Sequence, residues 1–276
     1  MNGSGMALTA DGSFDSHWSN SEAFSITGPK VVAKIKGTYS SKGSNSEIFL
    51  LSKWDGAVLD VNANFTTAGE QSEGLSITGN LVKATVGGTI TTSGAQSEGI
   101  SASADGDNSD GPGGLQIISN AAISTSNSDS EGISITARDS TLTSAGPITT
   151  SGGNSEGISA TKDGNTVDAT GAITTAGEKS EGISYAGARG KVTVGAPIST
   201  KGSNSPGLLL SGSGIAVPIN NSITTTGTGS PVVQVLDGSS GITVTCADGV
   251  NLSAAGPLYV GPVGAVTFVN CPTGLA

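Results

Sequence analysis

The chain has 276 residues, of which 43 are glycine, 12 % are charged and 4 % are aromatic, and its formal net charge is −10. A chain this acidic is repelled by phosphate backbones, so no nucleic-acid partner is expected; it has no run of 18 apolar residues, so no membrane-spanning helix is expected. His17 is the single histidine, and the phosphate-loop, nucleophile-elbow and HExxH zinc motifs are absent.

The order of elements follows a repeat. The serine of a SEGIS-like phrase falls at Ser21, Ser46, Ser72, Ser97, Ser130, Ser155, Ser180, Ser205 and Ser230. The spacing is 25, apart from one step of 26 and one of 33. A marker seven residues earlier keeps the same series: Phe14, Tyr39, Phe65, Ile90, Ile123, Ile148, Ile173, Ile198 and Ile223. Two markers in one register over nine units predict stacked repeats. Each unit holds three short stretches of alternating β-branched residues, clearest over 148–151, 156–160 and 191–194, with no helical period.

In chain order, the first units place rings at the marker (Phe14, Tyr39, Phe65) and at a second position (Phe24, Phe49). These predict an aromatic ladder filling a wider end of the core. The step of 33 predicts an acidic insertion loop over about 103–114. The regular units follow. The turns of the units on both sides of the insertion carry Gly43, Gly69, Gly94, Gly152, Gly177, Gly202 and Gly227, with Asn127 once, which predicts a left-handed backbone there. Third-stretch residues then line up as Val167, Val192, Val217 and Ile242, and as Val194, Ile219 and Val244. Second-stretch residues continue as Leu208, Val233 and Leu258, and as Leu210, Val235 and Val260. A C-terminal coil is expected over 242–276.

A unit of three strands without a helix buries nothing alone and must stack on its copies. The expected fold is all-β: a right-handed, single-stranded parallel β-helix of about ten coils of 25 residues, with three short strands per coil, forming one domain over 1–276. Cys246 and Cys271 are one period apart, and Ile242 and Val244 recur as Val266 and Phe268. The two cysteines should therefore lie in adjacent coils, at a spacing of about 4.8 Å. That is within disulfide range and predicts an oxidising compartment.

With ITTSG, SEGIS and a valine strand in hand, the units over about Phe14 to Val235 resemble the passenger-domain repeats of bacterial autotransporters (type V secretion), especially the adhesin-like ones. The resemblance implies a β-helical segment exported across the outer membrane and used at the cell surface for adhesion or self-association. No translocation barrel follows, and Met1-Asn2-Gly3-Ser4-Gly5 does not read as a signal peptide. Either the segment is expected to belong to a longer chain, or the chain belongs to a different β-helix family.

The most conspicuous candidate chemistry is a glutamate column: Glu22, Glu47, Glu73, Glu98, Glu131, Glu156 and Glu181, followed by Pro206 and Pro231. Carboxylates stacked about 5 Å apart repel one another by about 0.8 kcal/mol per pair in water. Such a column could bind a cation or a basic partner, through Glu73, Glu98, Glu131, Glu156 and Glu181. It could equally be a solvated corner whose carboxylates cap turn amides. A uniform ladder does not split two carboxyls into acid and base, so glycosidase chemistry is not expected there. Asp105, Asp107 and Asp110 in the insertion are candidate calcium ligands, although the glycine and position twelve do not fit an EF-hand. A column of nine hydroxyls runs from Ser16 and Ser41 through Thr67, Thr92, Thr125, Thr150, Thr175 and Thr200 to Thr225, and suits an ordinary polar face or an ice-binding one.

The expected function is non-enzymatic: a surface segment whose long polar faces bind a host-surface glycan or protein, or another copy of itself, with no cofactor beyond a calcium option. The alternatives are a polysaccharide-degrading β-helix enzyme, which would need clustered acids and bases in one set of coils, and an ice-binding solenoid.

Overall fold

A computed structural model describes residues 5–104 and 113–275. Among them there is no helix, and every pairing between strands is parallel. The chain winds as a parallel β-solenoid of about ten coils. One ten-stranded sheet collects the second stretch of each coil, from Phe24–Thr27 to Tyr259–Val260. A seventeen-stranded sheet collects the first and third stretches.

The pairings follow the repeat. Tyr39 lies on Phe14, Phe65 on Tyr39 and Ile90 on Phe65, and the marker column continues through Ile123, Ile148, Ile173 and Ile198 to Ile223. Each marker from Phe65 onward is at most 2 % exposed, with Ile, Val, Leu and Ala of the other stretches around it. The rings do pack inside, as Phe24 against Tyr39 at 5.0 Å and Tyr39 against Phe65 at 5.9 Å. Phe14, in the first coil, is 40 % exposed.

Three expectations are corrected. The first concerns three strands per coil. In the first four coils the third and first stretches fuse into single ten-residue strands, Ala7–Ser16, Val32–Ser41, Val58–Thr67 and Lys83–Thr92. From Gln116 onward they separate into strands of three to five residues, such as Thr166–Ala169 and Ile173–Thr175. The second stretch also starts later than expected, at Ile158, with Glu156 and Gly157 in the turn before it.

The second correction is to the turn glycines. Gly177 is not left-handed. It is required because a Cβ there would stand 1.7 Å from the carbonyl oxygen of Gly152 in the coil beneath, and Gly94 and Gly202 repeat the contact. The left-handed residue comes two places later, as Asn45, Gln71, Gln96, Asp129, Asn154, Lys179 and Asn204, all with φ near 52°.

The third correction is to the last coils. A loop containing Gly238 and Gly241, both at positive φ, lengthens one coil, so Val217 pairs with Val244 rather than Ile242. Val233 likewise pairs with Tyr259 rather than Leu258. The expected recurrence of Ile242 as Val266 and of Val244 as Phe268 holds. Cys246 and Cys271 form a disulfide with their Cα atoms 4.9 Å apart.

Candidate functional site

The glutamate column sits on the turn between the first and second stretches. Each glutamate precedes its second-stretch strand by two residues and is fixed there by ladder bonds between coils. The amide of Gly74 donates to the Glu98 carbonyl at 3.1 Å, that of Gly99 to Glu131 at 3.0 Å, that of Gly132 to Glu156 at 3.0 Å and that of Gly157 to Glu181 at 2.9 Å. The glycine beside each glutamate is a packing requirement. A Cβ on Gly157 would stand 2.3 Å from Ile173 Cγ2, and Gly132 and Gly182 have the same neighbour one coil on. The phrase EGI thus joins an outward acid, a glycine that admits the next coil's marker, and an inward isoleucine.

The motif serine carries structure that the sequence reading used only as a register mark. Its hydroxyl accepts from the preceding coil's serine amide, as in Ser155 to Ser180 Oγ at 3.0 Å. It donates to the turn carbonyl of that same preceding coil, Gly152, at 2.9 Å. The same pair of bonds recurs at Ser72, Ser97, Ser130, Ser155 and Ser205. From Ser46 onward this column is buried, and its appearance in all nine units was the signal available in the sequence. The nine-hydroxyl column also faces inward: Ser16, Ser41 and Thr67 through Thr225 are all buried. In the narrow coils the threonines reach the serine carbonyls, as in Thr175 Oγ1 to Ser180 O at 2.6 Å. It is not an outer face.

An open groove of about 560 Å³ follows the corner, lined by Glu47, Glu73, Glu98 and Glu131 and by the left-handed Asn45, Gln71, Gln96 and Asp129. The amides bridge coils, Gln71 Nε2 to Gln96 Oε1 at 3.2 Å and Asn154 Nδ2 to Asp129 Oδ1 at 3.1 Å. The glutamates are half-buried, and Glu181 is buried, with 8 % exposure. Burial, with like charge from Glu98 and Glu47, pushes Glu73 up to about 8. Burial, with Glu156 and Glu98, pushes Glu131 up to about 8, and burial, with Glu181, pushes Glu156 up to about 7. Hydrogen bonds from the backbone amides of Glu73, Glu131 and Glu156 work the other way.

Glu73, Glu98, Glu131, Glu156 and Glu181 are therefore brought together as a column. Among the described residues, no three acidic, histidine or cysteine side chains converge on one point that could hold a metal ion. Asp105, Asp107 and Asp110 lie outside the described residues. His17 is exposed beside Asp15, Ser40 and Lys42 in the first coil, with Lys42 Nζ 3.1 Å from its Nε2.

No protein-family model matches the chain, and no curated protein sequence matches it. Among solved structures, a "Siphovirus 9NA tailspike receptor binding domain" is similar over 97 % of this chain and 73 % of its own. At 9 % identity and a TM-score of 0.30, that likeness carries no argument.

Proposed function

We propose that the chain is a non-enzymatic, extracellular display rod of the autotransporter-passenger type, which binds a surface polysaccharide or a second copy of itself through its outer sheet faces. The observation that carries this reading is the outside of the ten-stranded sheet. Ser76, Ser101, Ser134, Ser159 and Ser184 stack in register, and Thr78, Ser103, Thr136 and Thr161 stack beside them. Strand alternation turns these hydroxyls outward while Ile, Ala and Tyr face in. The result is a flat array of donors and acceptors that suits a ligand rich in hydroxyls along a line. The disulfide between Cys246 and Cys271 fits an oxidising, extracellular setting.

The test is binding of the purified rod to a panel of bacterial and host polysaccharides, with self-association followed by sedimentation. Ser134→Tyr and Ser159→Tyr should weaken binding about tenfold or more and leave the melting temperature unchanged. Absence of both kinds of binding overturns the reading. Release of shortened sugar chains would replace it with an enzyme, and thermal hysteresis with an ice-binding solenoid.

A further inference from the structure

Seven stacked carboxyls need something to offset their repulsion. Cationic side chains do not supply it. The ion pairs among the described residues are His17–Asp15 and Arg189–Asp163, both away from the column. No gathered metal site among the described residues supplies it either. The ladder bonds between coils instead set neighbouring half-buried carboxyls side by side along the rod at about one strand spacing, where two of them can share a hydrogen bond. A carboxylate has no hydrogen to give, so each such bond needs a proton held between its two groups. The second Glu73 oxygen, Oε2, is buried and has no hydrogen-bond partner, an arrangement a full negative charge tolerates poorly.

We propose that the glutamate column is a proton-operated clasp: the protonated column locks the coils from Glu47 to Glu181 together in mild acid, and its ionisation loosens them in mild alkali. The proton moves from solvent onto a carboxylate oxygen and returns to solvent, with no other bond made or broken.

The charges that act most on Glu73, Glu131 and Glu156 are other members of the column, namely Glu47, Glu98, Glu156 and Glu181. The other charged groups on the same turns are Lys42, Glu70, Asp129, Glu178 and Lys179. The sheet on the far side of the turn presents neutral Ser76, Ser101, Ser134 and Ser159. Burial raises these carboxyls above their unfolded value of 4.5, so the folded chain binds more protons than the unfolded chain between about 4.5 and about 8. Stability is therefore complete below the unfolded value and is lost as pH rises through the folded one.

The experiment is thermal unfolding of the whole chain from pH 5 to pH 9 with a chelator present, together with NMR titration of the glutamate carboxyl carbons. The melting temperature at pH 5 should exceed that at pH 8.5 by on the order of 10 °C, and three carboxyls should titrate near neutrality or above. Glu73→Gln, Glu131→Gln and Glu156→Gln together keep a hydrogen-bonding group without the charge. This variant should flatten the pH dependence and melt higher than the parent at pH 8.5. If the variant does not fold, the carboxyl titration of the parent alone decides. Melting that is flat or rises toward pH 8.5, or column carboxyls that all titrate near 4.5, overturns the clasp. Neither result bears on binding by the serine face.

Discussion

The wide coils of residues 7–103 and the narrow coils of residues 116–235 share one period and one marker column, yet they close differently. In the first three wide coils the core holds rings, and a ten-residue strand crosses the corner, at positive-φ glycines in Val32–Ser41 (Gly37) and Lys83–Thr92 (Gly88). In the narrow coils the markers are all Ile and the core adds Leu, Val, Ala and the ring of Tyr185, and the same corner is a turn such as the one over 145–147 between Thr141–Ser144 and Ile148–Thr150. The hydroxyl column records the consequence. Ser41 Oγ and Thr67 Oγ1 are buried without a hydrogen-bond partner. From Thr92 onward each threonine reaches a serine carbonyl, as at Thr150 and Thr200, both at 2.6 Å. The change falls within the wide coils, at Thr92, where the marker passes from the ring of Phe65 to Ile90, so the missing bonds go with a ring two residues before the hydroxyl rather than with the length of the strand. A repeat can keep its spacing while one of its internal bonds is made in most coils and missing at Ser41 and Thr67.

The largest expected effect tests the stacking of the narrow coils. Gly177→Ala places a methyl 1.7 Å from the Gly152 carbonyl and should cost on the order of 4 kcal/mol. Gly12→Ala in the first wide coil, where nothing lies within 4 Å, should stay within about 0.5 kcal/mol. Equal effects in chemical denaturation would remove the distinction. Next is an exchange of core volume. Ile173→Phe has no room, because Ile173 Cγ2 already fills the space a Gly157 Cβ would take, and should cost about 3 kcal/mol. Phe65→Ile instead leaves a void in the wide core and should cost about 1–2 kcal/mol. A larger loss for Phe65→Ile would mean that the wide coils are the better packed. The smallest effect is the most selective. Thr175→Val should cost about 1 kcal/mol by removing the donor to the Ser180 carbonyl. Thr67→Val should be neutral or stabilising, because its hydroxyl bonds to nothing. Equal losses at both sites would show that Thr67 is satisfied in solution.

By itself the sequence determined the period, the parallel stacking, the marker residues that form the core and the adjacency of Cys246 and Cys271. The physical reason is that residues 25 apart in a solenoid must lie about one strand spacing apart. A repeated residue therefore announces its neighbour above and below, and two cysteines one period apart announce a bond. Where the strands alternate regularly, as at Lys191–Val194, the sequence also fixes which side chains face in. The turns broke that reading. At Ser151–Gly157 the chain leaves the period of two, so the direction of a side chain depends on dihedrals that only the folded coil defines. Tertiary structure alone decided that the turn glycine answers to a carbonyl in the coil beneath, that the left-handed residue comes two places later, that the threonine column points inward, and that the glutamates are half-buried, with Glu73 Oε2 left without a partner. Each of these rests on contact between coils at a corner, where one residue's environment is built from the carbonyls and side chains of its copies.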